Sequence, residues 1–153
     1  MPEVDVSPHM TEHVLVAVDD SEQAKKALDF AVEEHPDARI TALHVIDPRE
    51  FYGASAIEGA AMSSYERLRE IHEGRAENLL DDARERAADA GVEIETEHVL
   101  GRVSRKIVEY ADEHDVDHVV VGSHGRTGAS RILLGSVAEL VVRRSPVPVT
   151  VVR

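Results

Sequence analysis

Hydrophobic and polar positions along the chain change period several times, from short apolar runs to longer stretches with a helical repeat. Five short runs predict β-strands, because they are apolar throughout or alternate in polarity. They lie at 13–18, 39–46, 92–100, 117–122 and 147–152. The third run alternates strictly and places Glu93, Glu95 and Glu97 on one face, which indicates a strand at the edge of a sheet.

Four segments between these runs repeat their apolar residues at helical spacing. They span about 21–35, 63–90, 103–114 and 136–144, and Asp20 or Ser21 is placed to cap the first. The side chains predicted to face the core are Ala24, Ala27, Leu28, Ala31, Val32, Leu68, Ile71, Leu79, Leu80, Ala83, Ala87, Ile107, Val108 and Ala111. Gly91 follows the second helix, as expected of a glycine that ends one. The segment 48–62 has no clean period and predicts a mobile loop.

Strands that alternate with helices predict an α/β fold, in which helices cover both faces of an open parallel sheet. A chain of 153 residues is long enough for a single domain with a sizeable core. Right-handed crossovers, with the apolar first and fourth strands in the centre, give the strand order 3-2-1-4-5. The winding reverses between strands one and four, which opens a crevice at their carboxyl ends. We assign 1–11 to an N-terminal extension and 12–153 to the domain.

The charge balance limits the classes of partner. Thirty acidic residues stand against 17 basic ones, for a formal net charge of −13. Nucleic acids and anionic membrane surfaces need a basic footprint, so we expect neither as a partner. Only three of the basic residues are lysines, and an acidic, lysine-poor surface is typical of salt adaptation, with an ordinary acidic protein as the alternative.

Cysteine is absent, which excludes disulfides, thiolate chemistry and cysteine-ligated metal. The first 13 residues lack the basic patch and apolar stretch of a signal peptide, and the chain has no apolar run long enough to cross a bilayer. We therefore expect a cytoplasmic protein.

Glycines mark the point where the chain leaves the fourth strand. Gly122 and Gly125 remove side chains there, so that main-chain N–H groups can surround an anion. Gly135 turns the chain into the last helix, whose first N–H groups, at Ser136 and Val137, are unpaired at the positive end of the helix dipole. These features favour a phosphate group. The alternative is that the glycines form a tight turn that is needed only for packing.

Neighbouring side chains add to this candidate phosphate site. The hydroxyls of Ser123 and Ser136 are potential donors, and Arg126 or Arg131 supplies local positive charge. The loop lacks the lysine of a Walker A sequence, and no G-x-G-x-x-G follows the first strand. The site is therefore neither a P-loop nor a dinucleotide fingerprint.

Two further positions line the predicted crevice. Asp19 ends the first strand, where its carboxylate can accept ribose hydroxyls or hold a metal bound to phosphates, unless it only caps a helix. We expect the main chain near Val45, on the second strand, to form a wall for a base.

The spacing Gly122-x2-Gly125-x9-Gly135-Ser136 resembles the G-x2-G-x9-G-[ST] signature of the nucleotide-binding branch of the universal stress protein family. "VLVAVDDSEQAKKAL" and "PVPVTVV" are similar to the family's first βα unit and last strand, so the likeness covers about 12–152. The resemblance implies an adenine nucleotide alpha hydrolase-like, Rossmann-like fold. It also implies binding of ATP with a divalent metal such as Mg²⁺ or Mn²⁺, usually in a homodimer that serves the stress response.

The resemblance also assigns roles by position. Asp19 would meet the ribose, and the main chain at Val45 the adenine. The residues implied to hold the phosphates are Gly122, Gly125, Gly135, Ser136 and Val137.

Three function classes remain open on this sequence. The first, which we favour, is a nucleotide-binding regulator or sensor with no catalytic residue. The second is a slow ATPase or phosphotransferase in the same pocket, for which His124 and Arg126 are candidates. The third is an interaction module without a ligand.

Two other chemistries have weaker signals. His114 and His118 lie four apart in "HDVDH", but one ends a helix and the other starts a strand, which argues against a dedicated metal site there. Ser123 and His124 are adjacent without a G-x-S-x-G elbow, which does not support a serine hydrolase.

The last strand predicts self-association. The segment 147–152 is apolar on both faces, and at the edge of a sheet it would be an open template for another chain. We expect an isologous homodimer through this strand, paired after Pro148, because Pro146 and Pro148 cannot donate to a ladder.

Overall fold

The computed structural model describes residues 11–49, 62–124 and 134–153, with side chains from 65 onward in the second of these ranges. Strands and helices alternate throughout this part of the chain. The strands are β1 (His13–Ala17), β2 (Arg39–Ile46), β3 (Glu95–Leu100), β4 (His118–Gly122) and β5 (Val149–Val152). The helices are α1 (Glu22–Glu34), α2 (Met62–Asp89), α3 (Val103–Glu113) and α4 (Ser136–Arg144).

All neighbouring strands pair in parallel, in the order β3-β2-β1-β4-β5. The α/β class, the parallel sheet and the strand order predicted from the sequence are confirmed. β1 lies in the centre, between β2 and β4, and β3 and β5 form the two edges. The winding reverses between β1 and β4, so the crevice predicted there is a feature of the topology.

Alternate residues of each strand face two separate cores. On one face Val14 and Val16 of β1 pack with the apolar sides of α1 and α2. On the other face Leu15 packs with α3 and α4, through residues such as Ile107 and Val141. Both faces of the central strands are therefore buried, which explains why their sequences are apolar throughout.

Local signals set the ends of two helices. The Ser21 hydroxyl accepts the N–H of Ala24 at 3.1 Å and caps α1, so Ser21 rather than Asp20 is the cap. Beyond α2, Gly91 has a φ of +81°, which favours glycine. Its N–H bonds the carbonyl of Ala88, and the N–H of Val92 bonds that of Ala87, the pattern of a Schellman motif.

The prediction that Ile71 faces the core is wrong, since 45% of this residue is exposed. α2 has 28 residues and is therefore about 42 Å long, whereas the eight-residue β2 spans roughly 27 Å. A helix this much longer than the strands cannot bury a continuous stripe. Ile71 lies in its first half, while Leu80, Ala83 and Ala87 in the second half are buried, as predicted.

A polar side chain that the sequence did not single out is buried at the start of β1. His13 is 4% exposed, and its Nδ1–H donates to the carbonyl of His114 at 3.1 Å. Its Nε2 lies 2.9 Å from the Thr41 hydroxyl. Burial lowers the pKa of His13 below its usual value, because the charged imidazolium would lose solvation there.

The predicted N-terminal extension, apart from Thr11, and most of the 48–62 loop lie outside the described residues. None of the helices in the described part of the chain combines the length and the apolar composition that crossing a membrane requires.

Candidate functional site

The crevice forms where β1 and β4 leave the sheet side by side. Val16 of β1 pairs with Val120 of β4, so the two strands reach their carboxyl ends at the same level. The chain continues to Asp19 after β1 and to Ser123 after β4. Residues from distant parts of the sequence thus lie at the same, carboxyl-terminal end of the sheet.

Asp19 makes the turn from β1 into α1. Its Oδ1 accepts the N–H of Ser21 at 2.8 Å, a turn that leaves the Ser21 hydroxyl free to cap the helix. Asp19 therefore orders the turn before α1, whereas the helix cap considered for it is Ser21. Its second oxygen has no hydrogen-bond partner among the described residues, and the side chain lines a cavity. One oxygen orients the carboxylate, and the other remains available to a ligand.

Val45 presents main-chain groups to the same opening. The Leu43 carbonyl accepts the N–H of Val18 on the β1 side, and the Ile46 carbonyl accepts that of Gly101 on the β3 side. Main-chain groups of a strand alternate between its two neighbours, so those of Val45 point toward β1. β1 has ended by this level, and the Val45 N–H meets no acceptor among the described backbone groups.

The imidazole of His44 replaces one expected ladder bond at this point. Its Nδ1 donates to the Val18 carbonyl at 2.8 Å, the acceptor that the N–H of Val45 would reach in a continuing ladder. The Val45 side chain itself is buried on the α3 and α4 face. Only its main chain is therefore exposed to the opening, as a base-binding wall requires.

A cavity of about 560 Å³ extends from Asp19 between α1 and α2. This volume is in the range of small-molecule pockets. Its floor is the end of β1 and β2, and its walls are the two helices. The lining residues are Val18, Asp19, Asp20, Ala24, Lys25, Leu28, His44, Ile46, His72, Arg75, Asn78, Leu79, Asp82, Ala83 and Arg86.

Lys25, Arg75 and Arg86 line this cavity, and two of these three cations are neutralised. Lys25 pairs with Glu22 at 3.2 Å, and Arg86 makes two hydrogen bonds, of 2.6 and 2.7 Å, to Asp29. Arg75 forms no ion pair with a described residue. It therefore brings a positive charge to the cavity wall in a protein of net charge −13.

Gly122 has a packing role as well as a predicted binding one. A Cβ at this position would lie 2.8 Å from Cβ of Gln23 and 2.9 Å from its carbonyl carbon. Gly122 therefore lets the first turn of α1 approach the end of β4. The packing role that the sequence left open as an alternative therefore exists at this position, and the predicted binding role stays a prediction.

We expect Gly122→Ala to destabilise the fold by about 1–2 kcal/mol, because Gln23 belongs to a helix backbone that cannot retreat freely. Guanidinium denaturation should show a lower midpoint with an unchanged slope. Gly74→Ala is the matched control, since a Cβ there meets nothing within 4 Å, and it should not lower the midpoint. An unaltered midpoint in Gly122→Ala would contradict the close contact.

Gly135 holds the start of α4 against the end of β4. Its N–H donates to the Ser123 carbonyl at 2.6 Å, and a Cβ on Gly135 would lie 3.0 Å from that oxygen. Gly135 is the N-cap of α4 and offers no side-chain cap. The N–H groups of Ser136 and Val137 have no acceptor among the described residues, and both residues are exposed. The helix start next to Ser123 is open to an anion.

Ser123, whose hydroxyl is a potential donor in the predicted phosphate site, is buried in the structure. The residue is 2% exposed, and its Oγ lies 3.1 Å from Nδ1 of His124. Its N–H donates to the Val152 carbonyl at 2.7 Å. Ser123 therefore ties β4 to both β5 and α4, and its main chain fixes the position of the start of α4.

Gly125, Arg126 and Arg131 lie outside the described residues, so the predictions for them stay predictions. His114 and His118 do not meet. The His114 ring stacks on Tyr110 at 3.7 Å, whereas His118 lies against His35.

The contribution of α2 to the wall of the cavity was not predicted from the sequence. Arg75, Asn78, Asp82 and Arg86 recur at intervals of three and four, so they share one side of the helix. Such a polar stripe beside an apolar one is usually a solvated face, and only the packing of α2 against β2 turns it toward a cavity.

A family model described as "Universal stress protein family" matches residues 10–153. Universal stress protein MJ0531 of Methanocaldococcus jannaschii is 39% identical over 132 residues, which are 86% of this chain and 74% of that protein.

Solved structures show the same likeness. The structure of protein MJ0577, from the same organism, superposes with a TM-score of 0.78 at 32% identity, covering 94% of this chain and 96% of that one. A universal stress protein in complex with cAMP superposes with a TM-score of 0.62 at 28% identity, covering 93% of this chain and 96% of that one.

Proposed function

Because the chain belongs to the universal stress protein family, we propose that it binds ATP in the crevice between β1 and β4 and acts as a nucleotide-dependent regulator. The observation that carries this proposal is the open start of α4, held beside Ser123 at the end of β4. A divalent ion, Mg²⁺ or Mn²⁺, would accompany the phosphates. The signature resemblance supports an assignment to the nucleotide-binding branch of the family.

The phosphates are proposed to lie against main-chain groups. In a protein of net charge −13, a polyanion needs local positive potential. The N–H groups of Ser136 and Val137 supply it at the positive end of α4. Gly125 and Arg126 are proposed to complete the cradle from the loop.

The nucleoside is proposed to lie toward β2. The oxygen of Asp19 that has no described partner suits ribose hydroxyls, and the main chain of Val45 suits the edge of the adenine. The cavity beside Asp19 provides an apolar floor at Val18 and Ile46. The cAMP complex of a 28% identical universal stress protein supports an adenine nucleotide as the ligand class.

We favour retention of the nucleotide over its hydrolysis. Hydrolysis requires a group that orients water and a cation on the transferred phosphoryl group. The candidate base is His124. Its Nδ1 lies within hydrogen-bond distance of Ser123 Oγ, so this nitrogen already has a partner in the protein. The test is the rate of phosphate release from ATP-loaded protein. A regulator should release phosphate no faster than ATP dissociates, whereas a hydrolase should release it faster.

We expect Asp19→Asn to weaken ATP binding about tenfold, because a charged acceptor for the ribose hydroxyls is lost. The amide introduced by this substitution retains a side-chain oxygen for the Ser21 N–H, so the start of α1 should persist. Calorimetry with ATP and with 2′,3′-dideoxyATP isolates the contact. The wild-type protein should prefer ATP, and the variant should bind both nucleotides alike.

Asp37→Asn is the matched control, since Asp37 is exposed and does not line the cavity. It should retain the preference for ATP. If the wild-type protein bound neither nucleotide, the proposed function would be wrong. If it bound both equally well, only the assignment of Asp19 to the ribose would fail.

We also propose an isologous homodimer through β5. β5 is an edge strand, and its four valine and threonine residues are only partly buried in the single chain. α4, which packs against β5, exposes Val142 to 46%. An apolar edge strand, with an exposed apolar side chain on the helix that packs against it, favours pairing with a second copy.

A further inference from the structure

The opposite end of the sheet carries a cluster of metal-ligating side chains far from the nucleotide crevice in the topology. Glu12 precedes β1, His35 ends α1 and His118 opens β4, so all three lie at the amino ends of the central strands. They are the one group of three such residues, within the described part of the chain, whose ligand atoms all lie within 4.8 Å of one another.

The distances fit a single small cation. His35 Nδ1 lies 3.3 Å from Glu12 Oε2, and His118 Nδ1 lies 3.9 Å from Glu12 Oε1. Ligands about 2.1 Å from a tetrahedral ion lie about 3.4 Å from one another. Small rotations of the three side chains would therefore bring them to coordination distance.

The surroundings already orient one imidazole. Nε2 of His118 lies 2.6 Å from the Thr150 hydroxyl of β5. If Nε2–H donates to this oxygen, Nδ1 carries the lone pair that a metal needs, as in sites where an outer partner fixes the histidine tautomer. The His118 and His35 rings meet at 63° with centroids 5.3 Å apart, and Nδ1 of each ring lies near the Glu12 carboxylate.

The backbone fixes the positions of these residues. The Glu12 carbonyl accepts the N–H of Arg39 at 2.8 Å, and the N–H of His35 bonds the carbonyl of Ala31 at 2.9 Å. The two imidazoles are mostly buried, with 18% and 21% of their side chains exposed, whereas Glu12 is 42% exposed. The cluster is thus held by the fold and open to solvent on the carboxylate side.

We propose that Glu12, His35 and His118 bind one Zn²⁺ ion or a similar borderline transition metal. Two imidazoles and one carboxylate match the preference of zinc, whereas Mg²⁺ and Ca²⁺ prefer oxygen ligands alone. The ion joins the residue before β1, the end of α1 and the start of β4. Its role is to stabilise this end of the sheet, independently of nucleotide at the other end.

The test is titration of the full-length, metal-free, untagged protein with ZnCl₂ in excess Mg²⁺ and without nucleotide, so that no phosphate can hold the ion. Calorimetry should give one equivalent per chain. Co²⁺ should give the visible absorption of a tetrahedral site. The thermal midpoint should rise by roughly 5–10 °C when free Zn²⁺ is about 100 times the dissociation constant.

Four variants locate the site. His35→Gln and His118→Gln should each weaken Zn²⁺ binding at least about tenfold, and Thr150→Val should weaken it about tenfold by releasing the His118 ring. Glu12→Gln changes a half-exposed side chain without altering its main-chain bond, so it tests the site even if a histidine variant fails to fold.

His114→Gln is the matched control, because His114 neighbours the cluster in sequence but stacks on Tyr110. It should bind Zn²⁺ as the wild-type protein does. Absence of saturable Zn²⁺ binding would overturn the proposal. Undiminished affinity in folded Glu12→Gln and His118→Gln would overturn it equally, because the ion would then lie elsewhere.

Discussion

Ser136→Pro is expected to weaken ATP binding roughly 10- to 100-fold while the fold remains intact. Ser136 is the first residue of α4, a position where proline is well tolerated because its N–H has no partner within the helix. Gly135 before it is extended, with φ −70° and ψ 161°, as the residue before a proline should be. The substitution therefore removes a donor to phosphate and little else from the main chain.

The size of the effect follows from the charge of the ligand. A hydrogen bond to a charged group contributes about 1.5–3 kcal/mol, which corresponds to roughly one to two decades in affinity. Ser136→Ala separates the main chain from the side chain, because it removes the hydroxyl and retains the N–H. We expect this control to lose much less affinity than the proline variant.

Calorimetry with ATP and Mg²⁺ measures both variants, and circular dichroism with thermal unfolding checks the fold. If folded Ser136→Pro bound ATP as tightly as the wild-type protein, the phosphates would not lie at the start of α4. A loss of the same size in Ser136→Ala would instead assign the interaction to the hydroxyl.

The fold could be predicted because its signals are local and repeated. Apolar runs in β1 and β4 require burial on both faces, and the alternating glutamates of β3 require an edge. Strand ends were less accurate, because pairing at an end depends on the neighbouring strand. Val18 lies outside β1 in the structure, since the turn at Asp19 takes the chain into α1.

The candidate site could be predicted in part, for a related reason. Asp19, Gly122 and Ser136 lie at strand and helix ends that the topology brings to the carboxyl-terminal end of the sheet. The contact of Gly122 with Gln23 depends on how closely α1 approaches β4, which no spacing in the sequence reveals. The same holds for the wall from α2 and for His118, whose partner is His35 rather than His114.

The proposed dimer gives the second large effect: Val151→Pro should weaken self-association roughly 100-fold without unfolding the chain. The Val152 carbonyl accepts the N–H of Ser123, and the Pro148 carbonyl accepts that of Val119. Even-numbered residues of β5 therefore face β4, and the main-chain groups of Val151 point to the open edge. Proline is tolerated in an edge strand where the lost N–H faces outward.

In an isologous interface each substitution acts twice, once in each subunit. Two lost strand-to-strand hydrogen bonds, each leaving an acceptor unpaired, would cost about 1–1.5 kcal/mol apiece, or roughly two decades in the dimer dissociation constant. Val151→Ala is the control, because it trims the side chain and retains the N–H. Sedimentation equilibrium should find a dimer for the wild-type protein and for Val151→Ala, and a monomer for Val151→Pro at the same concentration. A folded Val151→Pro protein that still sediments as a dimer would require the subunits to meet on a surface other than the free edge of β5.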